Sequence, residues 1–265
     1  MKRTEPPALR AVVLGASNLR MGLPLVAARL RGAAGGPIEV LAACGHGRSY
    51  VQWSRILFGV RALPGVADCG LWRALAALPS LASLPTVALV MDIGNDLLYG
   101  RSSEDIAAGV GACLRRLQAV GADVVIVPLP MASLEKVSTF RYHAARTILY
   151  PARGEPWASL RARARDLDRR LRELAAEHGA RLVEPQAAWY GIDPIHFHGR
   201  RRRQAWDHII AQWLARVPRA IAAGPGAFRL RVPPLGAAEL RLFGTLRRTP
   251  QPACRLPDGS TVALY

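Results

Sequence analysis

Short apolar runs alternate with longer stripes of helical spacing along this chain. Arg10–Leu14, Ile38–Ala43, Thr86–Asp92, Asp123–Pro128 and Arg181–Glu184 are apolar runs bounded by glycine, proline or polar residues, and the middle three are rich in valine or isoleucine. Runs of this length and composition read as buried strands. Between them, Ile106–Val120 carries apolar residues at helical spacing and stops before Gly121. Trp157, Leu160, Ala164, Leu167, Leu171 and Leu174 step by three and four, with Pro156 at the start and Gly179 just past the end. A last stripe of Trp206, Ile209, Ile210, Trp213, Leu214 and Val217 is stopped by Pro218. Strand and helix in alternation predict a parallel sheet covered by helices on both faces.

The pattern changes near Ala220. Phe228–Val232 and Glu239–Leu242 alternate as strands do, and Pro257-Asp258-Gly259-Ser260 reads as a turn between Cys254–Leu256 and Thr261–Tyr265. The expected organisation is a three-layer, flavodoxin-like α/β/α domain over residues 1–219 with a five-stranded parallel sheet, followed by a small β-rich appendage over 220–265.

With 265 residues, 51% apolar and 21% charged, the chain is long enough to bury a full core. No apolar stretch approaches the roughly 20 residues that span a bilayer. Ala11-Val12-Val13-Leu14 is too short for a signal-peptide core, and cleavage there would remove the serine discussed below, so the chain reads as cytoplasmic. Cys44, Cys69, Cys113 and Cys254 are scattered without CxxC spacing and read as buried free thiols.

The net charge of +17 comes almost wholly from arginine, with Lys2 and Lys136 the only lysines. Such a charge permits salt-sensitive attraction to polyanions. Neither an aromatic-basic sheet signature nor zinc-finger spacing accompanies it, so no specific nucleic-acid partner is expected.

Four short motifs lie just past apolar runs: Gly15-Ala16-Ser17-Asn18, Gly45-His46-Gly47, Gly94-Asn95-Asp96 and Asp193-Pro194-Ile195-His196. In a parallel sheet the carboxyl ends of the strands share one edge, so residues remote in sequence meet there. Together the motifs supply a serine, an Asp/His pair and hydrogen-bond donors, the parts of an acyl-transfer site. A serine hydroxyl becomes a nucleophile when a histidine takes its proton, and a carboxylate fixes that histidine's tautomer. Each motif alone has a plain reading too: a strand-to-helix turn with a capping serine, an ordinary Gly-Asn-Asp turn, a polar surface loop.

His198 makes a His-x-His pair with His196, but third and fourth ligands at recognisable spacing are missing, and no metal or organic cofactor is expected. Tyr50 stands where a dinucleotide fingerprint begun at Gly45 needs glycine. Leu19 breaks the Gly-x-Ser-x-Gly of an α/β-hydrolase elbow.

The ordered set resembles the SGNH hydrolases, the GDSL esterase/lipase family, over about Val12 to Val217. The resemblance implies Ser17 as nucleophile, His196 as general base and then acid, and Asp193 as the residue that orients His196. It implies an oxyanion hole of the Ser17 backbone N–H, Gly47 and Asn95, with Gly45 as the alternative to Gly47. The chain departs from the family pattern at Ala16, where an aspartate is usual, at Asn18 for leucine, and at Ile93, where the third block commonly has glycine. The second block lacks the usual serine before its glycine.

The implied function is a serine hydrolase cleaving a small-molecule carboxylic ester. An acyltransferase on the same site, or a non-catalytic basic binding protein on the same scaffold, are the alternatives. Leu129 to Pro156, with Phe140, Tyr142, His143, Arg146 and Tyr150, is the candidate specificity lid. Arg200–Arg203 form either a solvated surface or a positive rim that attracts an acidic substrate.

Overall fold

A computed structural model of the protein describes residues 6–56, 60–78, 84–138, 155–217 and 235–265. The elements in chain order are β1 (Leu9–Leu14), α1 (Ser17–Ala34), β2 (Ile38–Ala43), β3 (Ser54–Ile56), β4 (Arg61–Leu63), α2 (Leu71–Ala77), β5 (Thr86–Val90) and α3 (Asn95–Leu98). They continue with α4 (Ser103–Ala119), β6 (Asp123–Ile126), α5 (Met131–Leu134), α6 (Trp157–Glu177), β7 (Arg181–Leu182) and α7 (Arg202–Trp213). Four short strands follow: β8 (Glu239–Leu242), β9 (Thr245–Arg248), β10 (Cys254–Arg255) and β11 (Thr261–Leu264).

The central sheet runs β10-β11-β2-β1-β5-β6-β7, parallel throughout except for β10. Side chains alternate across each strand, and the alternation splits the core in two. Ala11 and Val13 of β1, Val40 and Ala42 of β2 and Leu89 of β5 pack under α1 and α7. Val12, Leu14, Leu41, Ala43, Ala88 and Val90 face the other way, onto α2, α4 and α6. Both faces of the strands are apolar because both are covered.

All five strands expected from the sequence are present, within two residues at their ends. The sheet has seven strands where the sequence reading counts five, because the C-terminal hairpin joins it. β11 pairs in parallel with β2 from Thr261↔Glu39 to Leu264↔Ala42, and the Tyr265 N–H donates to the Ala42 carbonyl at 2.8 Å. β2 therefore has a neighbour on each side. The turn at 257–260 is as expected, with the Ser260 N–H and hydroxyl both donating to the Asp258 carboxylate and the hydroxyl also accepting from the Ile38 N–H.

A second, four-stranded antiparallel sheet runs β3-β4-β8-β9. It joins a hairpin in the first quarter of the chain to one near its end, which no local pattern announces. The expected strand Phe228–Val232 lies outside the described residues, as do Phe140, Tyr142, His143, Arg146 and Tyr150. Cys44, Cys69, Cys113 and Cys254 are free and buried. No helix among the described residues is long and apolar enough to cross a membrane.

Candidate active site

Ser17 is the first residue of α1, directly after β1, and is buried. Its Oγ is 2.7 Å from Nε2 of His196. Nδ1 of His196 is 2.6 Å from Oδ2 of Asp193, whose Oδ1 accepts from the N–H groups of Ile195 and His196 at 3.0 and 3.2 Å. The loop after β7 thus presents acid and imidazole from one tight turn, as a separation of three allows.

The electrostatics follow from this geometry. Asp193 raises the His196 pKa above its ordinary value, more than burial and the Arg202 cation lower it, and Asp92 adds to the raise. Burial pushes the Asp193 carboxyl up, but its hydrogen bonds from His196 and the turn outweigh that and hold it below the usual range.

Two residues to which the sequence reading assigned no role hold the two halves together. Asn18 donates from Nδ2 to the Ile195 carbonyl at 2.9 Å and accepts at Oδ1 from the Phe197 N–H at 2.9 Å. It therefore clamps the backbone on either side of His196. Nδ2 also donates to Oδ1 of Asp92 at 2.8 Å. Asp92 stands just past β5 with φ 57°, and its Oδ2 accepts from the N–H groups of Ala16 and Leu19, both at 3.1 Å. The carboxylate caps the amino end of α1, where orphan N–H groups and the helix dipole favour an anion. Burial raises the Asp92 pKa against these hydrogen bonds. The available signal was a lone carboxylate closing an otherwise apolar strand.

Aromatic packing fixes the rest of the loop. Phe197 meets Trp189 and Trp206 edge to face at 5.8 and 5.9 Å, and Tyr190 and Phe197 form a β-bridge. A Cβ on Gly22 would stand 2.2 Å from the Trp206 ring, so this glycine lets α1 and α7 approach.

Asn95 begins α3, and its Nδ2 donates to the Arg48 carbonyl at 3.1 Å, tying the third motif to the turn of the second. Asp96 is fully buried and accepts from the Tyr50 N–H at 2.8 Å and from the Ser49 hydroxyl. Gly47 has φ 59°, a left-handed conformation that suits glycine, and its carbonyl accepts from the Tyr99 hydroxyl at 2.6 Å. Gly45 is buried against Leu63, where a Cβ would come within 2.3 Å. Arg48, fully buried beside them, donates from Nε to the Pro64 carbonyl at 3.1 Å and from Nη1 to the main-chain oxygen of Tyr265.

A cleft of about 850 Å³, part of it open to solvent, lies on the β5–β6 side of Ser17. Ser17, Asp92 and Asn95 line it with Leu97, Leu129 and Trp157. The structure thus brings Ser17, His196, Asp193 and Asn95 to one edge of the sheet. Gly45 and Gly47 sit on the adjoining turn and do not line the cleft. The first end of the expected lid does, through Leu129, Pro130 and Leu134. The Leu129 N–H is held by Asp168 at 3.2 Å.

Arg200, Arg201 and Arg203 are exposed, whereas Arg202 is half-buried and acts on His196. His198 caps α7 through its carbonyl, which accepts from Arg201 and Arg202. No group of three or more His, Cys, Asp or Glu side chains among the described residues is placed to hold a metal ion. Burial pushes the nearby Cys44 thiol up to about 12, which keeps it protonated and unreactive at neutral pH.

A serine hydrogen-bonded to an imidazole that is itself held by a carboxylate is arranged to attack a carbonyl carbon. This is the three-layer fold of the SGNH hydrolases. The chain shares it with an aryl esterase from M. smegmatis, solved with inhibitor bound, at 16% identity, with 78% of this chain and 98% of that one covered and a TM-score of 0.52. A member of the lipolytic G-D-S-L family from Veillonella parvula aligns at 15% identity over 79% of this chain and 100% of its own, with a TM-score of 0.48. The esterase EstA from Pseudoalteromonas sp. aligns at 15% over 78% and 98%, with a TM-score of 0.44. No protein-family model and no curated protein sequence matches the chain.

Proposed function

We propose that the protein is a serine esterase that acts on a small-molecule carboxylic ester through an acyl-enzyme on Ser17. The observation that carries this reading is the hydrogen-bonded chain from Ser17 through His196 to Asp193, at 2.7 and 2.6 Å, beside an apolar cleft.

Ser17 Oγ attacks the ester carbonyl carbon while its proton passes to Nε2 of His196. The tetrahedral intermediate collapses, the carbon–oxygen bond to the alcohol breaks, and His196 returns the proton to the departing oxygen. Water then attacks the acyl carbon, gives a proton to His196, and collapse releases the carboxylic acid as Ser17 recovers its hydrogen. Asp193 holds the imidazole in the required tautomer and stabilises its charged form.

The Ser17 N–H and the Asn95 amide donate to the developing oxyanion. The Arg48 carbonyl takes one of the two Nδ2 hydrogens of Asn95, which leaves the other to donate. The third donor is the Gly47 N–H, with Gly45 the alternative. One such donor is worth about 3–4 kcal/mol in the transition state.

The test is a short-chain p-nitrophenyl ester series with wild type, Ser17→Ala and His196→Ala, together with a fluorophosphonate probe. The expected result is labelling at Ser17 and loss of nearly all turnover in both variants. Equal turnover in wild type and Ser17→Ala refutes the mechanism. A folded protein that neither reacts nor turns over, and is retained on heparin in a salt-sensitive way, is the basic binding protein instead.

A further inference from the structure

On the side of Ser17 away from the apolar cleft lies a group of cations that no carboxylate among the described residues pairs with. Arg20 is one helical turn on from Ser17 in α1, on the same face. Arg61 opens β4, two residues before Leu63, so both side chains leave the strand on one side. That side faces the Gly45–Gly47 turn, because Leu63 packs against Gly45. His46 stands in the turn between them, exposed.

The ion pairs among the described residues reach many arginines, from Arg10–Glu39 to Arg248–Glu239, but neither Arg20 nor Arg61. Among the described residues the buried Nε–H of Arg61 has no hydrogen-bond partner. A buried donor left open in a native structure calls for an explanation, and a guanidinium is shaped to receive an anionic oxygen group. Partial burial, then the charges of Arg20, Arg61 and His196, hold the His46 pKa below its ordinary value, so the imidazole is largely neutral at pH 7 and adds a hydrogen-bonding group between two cations. Arg61 is itself shifted down, by burial and then by Arg20, as two like charges brought together require.

We propose that the preferred ester carries an anionic group, a carboxylate or a phosphate, on its alcohol half, held by Arg20 and Arg61 over the His46 turn while the apolar acyl half occupies the cleft. This rests on the esterase reading and gives that site its substrate class. The two halves of the substrate then fall on opposite sides of Ser17 Oγ, which places the scissile carbonyl at the nucleophile. The pair of cations also stabilises the alcohol product as its negative charge develops on departure.

The experiment compares three butyrate esters with matched phenolic leaving groups: 3-carboxyphenyl, 3-(phosphonomethyl)phenyl and neutral 3-carbamoylphenyl. Wild type is expected to show kcat/KM at least tenfold higher for one or both anionic esters, about 1.4 kcal/mol, and the larger of the two ratios identifies carboxylate or phosphate. The ratio falls as salt is raised, because a half-exposed ion pair is screened. Arg20→Gln and Arg61→Gln each lower the ratio at least threefold, and the double variant brings it near one. Because the readout is a ratio, a general loss of folding or of catalysis does not imitate it.

Ser17-dependent turnover of all three esters with ratios near one, or a ratio unchanged in the double variant, overturns the inference and leaves the esterase reading standing. Absence of Ser17-dependent turnover of all three overturns the esterase reading. The niche is then judged by titration with 3-hydroxybenzoate and 3-(phosphonomethyl)phenol, and lack of saturable binding that depends on Arg20 and Arg61 overturns it as well.

Discussion

Asn18 links the Ser17 helix to the His196 loop, so replacing it tests how the site is held together. Asn18→Ala removes three hydrogen bonds, at 2.8, 2.9 and 2.9 Å, to Asp92, Ile195 and Phe197. The Phe197 N–H is buried and loses its acceptor, at about 1–3 kcal/mol, and a bond to a charged group is worth about 1.5–3. Allowing for water entering from the cleft, the net loss is about 3 kcal/mol, or roughly 6–12 °C in Tm for a domain of this size. With both backbone clamps on His196 released, a displacement of about 1 Å lowers kcat roughly 100-fold, while KM changes little.

Asn18→Asp sharpens the test. It keeps an acceptor for Phe197 but turns a donor into an anion facing the Asp92 carboxylate and the Ile195 carbonyl. The near-isosteric variant is therefore expected to be less stable than the truncated one, an ordering that size alone reverses. The assays are thermal unfolding and p-nitrophenyl butyrate kinetics on wild type and both variants. Asn18→Ala with kcat within twofold of wild type and Tm within about 2 °C, or Asn18→Asp more stable than Asn18→Ala, refutes the clamp.

The raised His196 pKa requires activity to rise with pH through a midpoint above 6.5, the ordinary value, since only the neutral imidazole accepts the serine proton. Asp193→Asn removes the largest raising influence and leaves burial and Arg202 to lower the pKa against Asp92. The acid limb of kcat/KM therefore moves to lower pH while the plateau drops about 10⁴-fold or less; an unmoved limb refutes the assignment of that limb to His196. Gly22→Ala puts a methyl into the Trp206 ring, and overpacking of this kind costs about 1–3 kcal/mol, read as a lowered urea midpoint. Deletion of residues 254–265 removes the partner strand of β2 and an oxygen that buried Arg48 donates to, so the shortened protein is expected to lose cooperative unfolding in circular dichroism.

The sequence made the site legible as chemistry and left its supports unseen. Ser17, Asp193 and His196 stood out because a parallel sheet gathers strand ends on one edge, and short apolar runs located those ends. β1, β2, β5 and β6 were legible for the same reason: they are buried on both faces and so are mostly apolar, whereas β7 is a half-buried Arg-Leu pair. β3, β4 and β9 were not, being three or four residues long, and the β4–β8 pairing that joins their two hairpins lies far apart in sequence. The joining of β11 to β2 was hidden because each run is an ordinary strand by itself, and pairing across more than 200 residues leaves no periodic trace. Asp92 and Asn18 act through hydrogen bonds across 74 to 179 positions. Asp92 is a single polar residue at the end of an apolar run and Asn18 sits in the turn beyond another, and periodicity registers neither.

The two-residue strands at the margins of the central sheet have a consequence for how copies of the protein meet. Among the described residues the sheet ends in β10 on one side and β7 on the other, each two residues long, and prolines at 252 and 257 bracket β10. An edge that short offers too few free backbone groups to template another strand. The smaller sheet ends in β9, which is longer but fully exposed and carries Arg247 and Arg248, and like charges on both copies oppose pairing there. Strand-to-strand growth, the common route from a β-rich chain to an aggregate, is thus opposed at these three margins.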